Sequence, residues 1–509
     1  MQPATDTAVK KFAFLSRLSP AFLPTLFFLY VAVIYGGTAY VQSGLYERDG
    51  YFHARFVQMM PLRGFSQSFP WTQLSTWRES FCDKEFLYHL AMLPFVLFTD
   101  DPISGAQIYA VLLSVAVLIA LYLVLRMNQV RFPLFFTALP LSMGYIFLTR
   151  LGMIRSHVLS MLLLTIGMHF LLQRRWRALF ILGFVYAWSY TVPFVLLMTA
   201  AAFVIGQRIG GKEIDWHAPI WAGLGSVLGL VFHPYFPLTL ETFLTYVQVF
   251  SNAVQGADVA ELTLGSEVYR RPLQRFFTLN PVIMILMPVL IVVLIRYRHL
   301  LTTGSRGMIS AAIFWFAMTM ASPRFAEYSV LLLAAASALA VRDLLPEMEK
   351  EGRWLSRPRV RVYAALFAIY ILGLYHVRSM FYFGTAQAVT PPRIFQGASA
   401  WMEKNLVPGE TVINLYWDDF PDLFYDGHRQ TYLWGLDPTY SLRDDPDRAR
   451  LLAQFVRHKI PLDAHVLSDR FHSRYLVFRT FRAGRFPELR QLPFREVYRD
   501  DSAVIYALQ

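Results

Sequence analysis

The chain has 509 residues, of which 55% are hydrophobic, 16% aromatic and only 16% charged. A soluble protein carries about 25% charged residues, so composition excludes an ordinary soluble domain. The net charge of +12 reads as basic loops between membrane spans rather than a nucleic-acid surface, and the single Cys82 excludes an intramolecular disulfide.

Lys10, Lys11 and Arg17 precede an apolar run to about residue 41 that is longer than a signal-peptide core and has no small-residue cleavage site after it. It reads as a retained first helix. Further apolar runs fall near 104–125, 132–149, 156–173, 177–190, 192–206, 218–236, 278–295, 307–321, 325–341 and 361–380, giving about eleven spans. The fifth and sixth are separated only by Tyr190-Thr191-Val192-Pro193 and also read as one broken hairpin. With the N-terminus cytoplasmic, every inside loop is basic: Arg126 and Arg131; Arg174, Arg175 and Arg177; Arg208 and Lys212; Arg296, Arg298 and Arg306; then Arg342 to Arg361. That bias orients the chain, and an odd number of spans puts the C-terminus outside. The expectation is a multi-pass protein of the bacterial inner membrane.

Two long loops, 42–103 and 237–277, then face outward and hold most of the acidic residues between spans. From about 385 the apolar runs stop. Short strand-like segments at 411–416 and 474–478, a helix at 397–405 and a hairpin over 494–508 turning at Asp500-Asp501-Ser502 follow. The expected fold is mainly α, a polytopic transmembrane helical bundle over 1–384 with a small extracytoplasmic α/β domain over 385–509.

Several outward-facing groups invite chemistry. Asp49, in "ERDGYFHAR" just past the first span, is either a carboxylate that binds a divalent cation or acts as a general base, or a helix terminus within an aromatic belt. Asp83 and Glu85, with His89 beyond, and Glu267 in "LGSEVYRR" are further oxygen ligands or solvated loop acids. Arg150, Arg155 and Arg324 break the inward bias of the basic residues. Arginine suits forked contact with phosphate, and snorkelling anchors are the alternative. Trp417 and Asp418 in "YWDDF" suit a polar acceptor or simply close a strand. No phosphate loop, CxxC pair, HExxH or GxSxG is present.

In order along the chain, these segments resemble the motifs of oligosaccharyltransferase catalytic subunits, members of the GT-C glycosyltransferases. "ERDGYFHAR" resembles their first outer-loop motif with Asp49 at the acidic position. "GSE" ending at Glu267 resembles the late outer-loop motif, "PRFAEY" the segment whose arginine, here Arg324, contacts the carrier phosphate, and "YWDDF" the acceptor motif at Trp417 and Asp418. The chain departs where that family has an Asp-x-Asp-like pair after the third span, since "RLGMIRSHVLS" puts His157 there, and where Asp419-Phe420 replaces the Tyr-Gly of the acceptor motif. The resemblance implies transfer of a sugar from a polyprenyl-phosphate or -pyrophosphate carrier to a glycan, lipid or protein acceptor. Asp49 and Glu267 would be catalytic, and Asp49, His157, Glu267, Asp83 and Glu85 would be candidate ligands of Mg²⁺ or Mn²⁺. Arg324, Arg150 and Arg155 would hold the donor phosphate. Membrane lipids are the surrounding partners, and no nucleic acid is expected. A non-catalytic glycan-binding or scaffold relative and a lipid or solute transporter are the rival readings; the second fits less well, because transporters place ionisable groups near the midplane.

Overall fold

A computed structural model describes residues 21–41, 44–45, 47–209, 211, 215–254, 273–350, 358–388 and 393–508. The chain is mainly helical with a small mixed sheet at its C-terminal end. Every expected apolar run falls on helix. Yet among the described residues only four helical stretches are long and apolar enough to cross a membrane: Phe22–Ala39, Pro102–Met127, Pro323–Glu349 and Leu366–Thr385. A fifth arises if Tyr145–Leu151 and Ser156–Leu172, bent by 103° at their break, count as one span. Eleven spans are therefore not confirmed.

The difference has a physical origin, because hydropathy sees apolar stretches and not where the helix breaks. The run at 132–149 is three short helices, Pro133–Ala138, Pro140–Met143 and Tyr145–Leu151. Pro140 cannot continue a hydrogen-bond ladder, and a side chain at Gly144 would come within 2.3 Å of Asn280 Oδ1. Other runs form shorter apolar helices, among them Val195–Arg208, His217–Val231 and Pro281–Arg296. Together they enclose a continuous core running from Val31 to Phe383.

The bundle carries two chemically different groups. In one, Arg342 donates to Asn128 O (3.0 Å) and Thr302 Oγ1 (3.0 Å), and Asp343 accepts from Thr302 N (2.7 Å). The basic loops that the sequence groups on one side thus meet one another. Glu47, Asp49, Asp83 and Glu85 of the 42–103 segment gather in a separate group, described below.

The C-terminal sheet runs β2(Thr431–Tyr432)-β1(Thr411–Asn414)-β3(Tyr475–Arg479)-β5(Ala503–Leu508)-β4(Phe494–Arg499). β1 is parallel to β2 and β3, and β5 is antiparallel to β3 and β4. Asp500 Oδ1 accepts from Ser502 N and Ala503 N (2.7 and 2.6 Å) to close the β4–β5 turn at the expected residues. β5 is buried on both faces: Ala503 and Ile505 face one apolar cluster, Val504 and Tyr506 another. The strand therefore reads as a continuous apolar run rather than an alternating one.

The 42–103 segment joins this sheet. Tyr432 N donates to Trp71 O (2.8 Å), and Gln73 N and Leu74 N donate to Tyr432 O and Leu433 O (2.7 and 2.6 Å). Loop aromatics Phe69, Trp77 and Phe81 share one cluster with Phe420, Phe424 and Tyr432. Loop and C-terminal domain pack as one body above the bundle.

Candidate functional site

"ERDGYFHAR" opens the helix Asp49–Arg63, which lies between the two cores. Tyr51, Ala54 and Val57 face the bundle, whereas Phe52 and Phe56 face the aromatic cluster under the C-terminal domain. A side chain at Gly50 would meet Leu45 Cδ1 at 2.7 Å, so the helix starts tight against the chain before it. Asp49 sits in the first turn, where the helix dipole favours a carboxylate, and Glu47 Oε1 accepts from Asp49 N (3.0 Å).

Arg155 stands opposite, at the break of the bent helix pair. Its guanidinium donates to Asp49 Oδ2, and its Nε lies 3.3 Å from Glu47 Oε1. One arginine thus spans both carboxylates.

One helical turn further, His53 lies on the same face as Asp49. His53 Nδ1 is 2.8 Å from His89 Nε2, and His89 Nδ1 is 2.8 Å from Asp83 Oδ1. Glu85 Oε2 lies 3.8 Å from His53 Nδ1, while Glu85 Oε1 accepts from Ser156 Oγ (2.8 Å) and Thr191 Oγ1 (3.0 Å). Ligand atoms of His53, Glu85 and His89 all lie within 4.8 Å of one another, the single such group among the described residues. Burial pushes His53 down to about 3. Burial also opposes charge on His89, but Asp83 outweighs it and raises this imidazole. Glu85, against the cost of burial, is held below the ordinary carboxylate range by the histidines and Lys84.

Arg324, in the short helical turn Pro323–Phe325, lies within electrostatic range of the Tyr190 and Tyr246 phenols, and Glu85 acts on the same Tyr246. Lys84 Nζ donates to Tyr246 Oη and sits 4.4 Å over its ring. Asp49 and Arg155 are in contact, and Glu85 joins them through Ser156, the residue after Arg155. Arg150 is different: it is buried in an ion pair with Glu327, tying Tyr145–Leu151 to Ala326–Lys350. His157 is buried as well, its Nε2 2.8 Å from Arg150 O. Glu267 lies outside the described residues.

"YWDDF" abuts the site helix from above. Asp418 is forked by Arg482 (2.9 and 2.6 Å), Asp419 is held by Arg479 and Arg482, and Asp422 meets Arg48 at 3.0 Å. Burial opposes charge on Asp418, but Arg482 and Arg479 prevail and hold its carboxyl low. Arg55 donates to Tyr425 O (2.9 and 2.6 Å), and the Tyr425 ring packs edge-on to Tyr51 at 5.3 Å. Trp417 and Asp418 thus sit one short helix away from the contact with the Asp49 helix.

No protein-family model matches the sequence, and no curated protein matches it. Solved structures do. The Archaeoglobus fulgidus oligosaccharyltransferase tethered to an acceptor peptide containing the NVT sequon superposes with a TM-score of 0.60 at 13% identity, over 95% of this chain and 74% of that one. The chain has an oligosaccharyltransferase-like fold. Archaeal oligosaccharyltransferase AglB from Archaeoglobus fulgidus in complex with an inhibitory peptide and a dolichol-phosphate superposes with a TM-score of 0.59 at 13% identity, over 91% and 70% of the two chains. The Archaeoglobus fulgidus oligosaccharyltransferase in complex with Zn and sulfate gives 0.54 at 13% identity, over 94% and 73%. At this level of identity the likeness is one of fold. Within this oligosaccharyltransferase-like frame, sequence reasoning gave His53 no role and left His89 unassigned. A signal was available: Asp49 to His53 and Glu85 to His89 are both four-residue steps at a helix start, which place each pair on one face.

Proposed function

We propose that the protein transfers a sugar or oligosaccharide from a polyprenyl-phosphate-linked donor to an acceptor on the extracytoplasmic face of a cell membrane. The N-terminus is cytoplasmic, residues 1–384 form the catalytic bundle, and 385–509 form the outer domain. The observation that carries this reading is the Asp49–Arg155 pair, with Glu85 beside it through Ser156, on the helix that the C-terminal domain contacts; Arg324 joins this group by its motif resemblance. The dolichol-phosphate and peptide held by the archaeal neighbour support a lipid-linked donor and a polar acceptor.

The reaction breaks the anomeric C–O bond to the carrier phosphate and forms a bond from the acceptor heteroatom to the same carbon. The acceptor proton leaves to a base, and negative charge grows on the phosphate. Asp49 orients the acceptor and takes its proton, while Arg324 stabilises the departing phosphate. Arg155, shared with Asp49 and Glu47, fixes the carboxylate and offers the phosphate a second fork. Glu267 assists from the second outer loop. Trp417 and Asp418 border the acceptor, with Arg482 fixing the carboxylate. The Asp49 carboxylate faces the Arg155 cation in this structure. No step here uses a metal at Asp49.

Asp49→Asn keeps the shape of the side chain and removes its charge. Folded protein with transfer reduced on the order of 10²–10⁴-fold is expected in a lipid-linked sugar transfer assay. Full activity in that variant refutes the catalytic assignment. The scaffold reading, favoured by the ion pair on Asp49, fails if the unmodified protein turns over donor.

A further inference from the structure

We propose that this chain holds a divalent metal on His53, Glu85 and His89, at a centre separate from Asp49, and that it takes a late first-row ion such as Zn²⁺. The chemistry of the donor set points there. Two imidazoles and one carboxylate suit Zn²⁺ far better than Mg²⁺, which prefers oxygen.

The geometry is close to closed. Bonds of about 2.0–2.1 Å at tetrahedral angles leave neighbouring ligand atoms about 3.3 Å apart. His53 Nδ1 is 2.8 Å from His89 Nε2 and 3.8 Å from Glu85 Oε2, each within about half an ångström of that spacing, and all three ligand atoms lie within 4.8 Å of one another. Supporting contacts already aim the ligands. Asp83 takes the far nitrogen of His89, which leaves Nε2 for the ion, and Ser156 and Thr191 take the far oxygen of Glu85. Such outer partners are what metal-bound histidines and carboxylates require.

Two further observations favour a cation. Asp83 Oδ2 is buried with no hydrogen-bond partner, an excess of negative charge beside the cluster. The Lys84 ammonium donates to Tyr246 and not to a ligand atom of the cluster. Because His53 follows Asp49 by four residues, the ion lies roughly 6 Å further along the same helix. It fastens that helix to the Phe86–Leu97 helix and to Ser156, and so positions Asp49 without touching the reacting atoms.

Metal content is read without donor or acceptor, so the test is independent of glycosyl transfer. Full-length protein purified in detergent and exposed to Zn²⁺ should retain about one ion per chain after desalting. His53→Gln and Glu85→Gln should retain less than about a tenth of that, Asp83→Asn should bind about 10–100-fold more weakly, and Asp49→Asn should retain it fully. Should a ligand variant fail to fold, the unmodified protein decides: loaded with Co²⁺ or Cu²⁺, its spectrum should report nitrogen ligation. No bound metal, oxygen-only ligation, or loss in Asp49→Asn with retention in His53→Gln would each overturn the proposal.

Discussion

Replacing Arg48 by methionine tests whether charge fastens the outer domain to the site helix. Arg48 meets Asp422 at 3.0 Å, and the Asp422 side chain is 1% exposed. Removing one partner of a buried pair costs about 3–5 kcal/mol, because the other charge is stranded. Here an escape limits the loss. Burial pushes the Asp422 carboxyl up to about 6, against the pull of Arg48, so at about pH 7.5 taking up a proton costs only about 2 kcal/mol. The charge contribution of Arg48 near that pH is therefore about 2 kcal/mol, and loss of the cation 5.6 Å from the Tyr51 ring adds about 0.5–1 kcal/mol.

The pH dependence follows from the sign of the shift. The folded value of Asp422 lies above its ordinary 3.8, so its contribution to stability is full below about 3.8 and is lost as pH rises through about 6. Near pH 5 the carboxyl is mostly protonated even with Arg48 present, and the deficit of Arg48→Met should shrink by most of the charge contribution. Unfolding followed by tryptophan fluorescence, with protease cleavage of the outer domain, measures both at about pH 5 and 7.5. Arg48→Met combined with Asp422→Leu should recover most of the loss, since it strands no charge. An equal deficit at both pH values, or a double variant no better than the single one, refutes this account.

Other consequences are as direct. Arg324→Lys keeps a charge but loses the fork, so the half-saturating donor concentration should rise on the order of 10–100-fold, as expected for one charged hydrogen bond; an unchanged value removes Arg324 from the phosphate site. Reporter fusions after residues 352 and 509 should report opposite sides of the membrane, and the same side for both would sink the proposed topology. A side chain at Gly225 would meet Phe180 O at 2.0 Å, so Gly225→Leu should part the helices Trp176–Ser189 and His217–Val231 and cost at least about 1–3 kcal/mol in thermal unfolding. Unaltered stability would deny the close packing.

What the sequence determined by itself was local. Apolar runs placed a helix at every expected position because hydrophobicity is a property of neighbours along the chain. Asp500-Asp501-Ser502 placed the final hairpin because an aspartate bonds the amides just after it. The sequence also singled out Asp49, Arg155, Glu85 and Arg324 as candidate groups, without pairing any of them. Tertiary structure alone decided what those side chains do to one another. Arg155 reaches Asp49 across 106 residues, and His53 reaches His89 across 36. Arg150 turns to Glu327 across 177 residues. Nothing local marks one arginine for a carboxylate at the site and the other for the bundle. The distinction comes from the 103° bend between their helices, which points Arg155 at the outer loop and buries Arg150. A buried charge must be paired, and which partner it finds is settled only when distant helices pack.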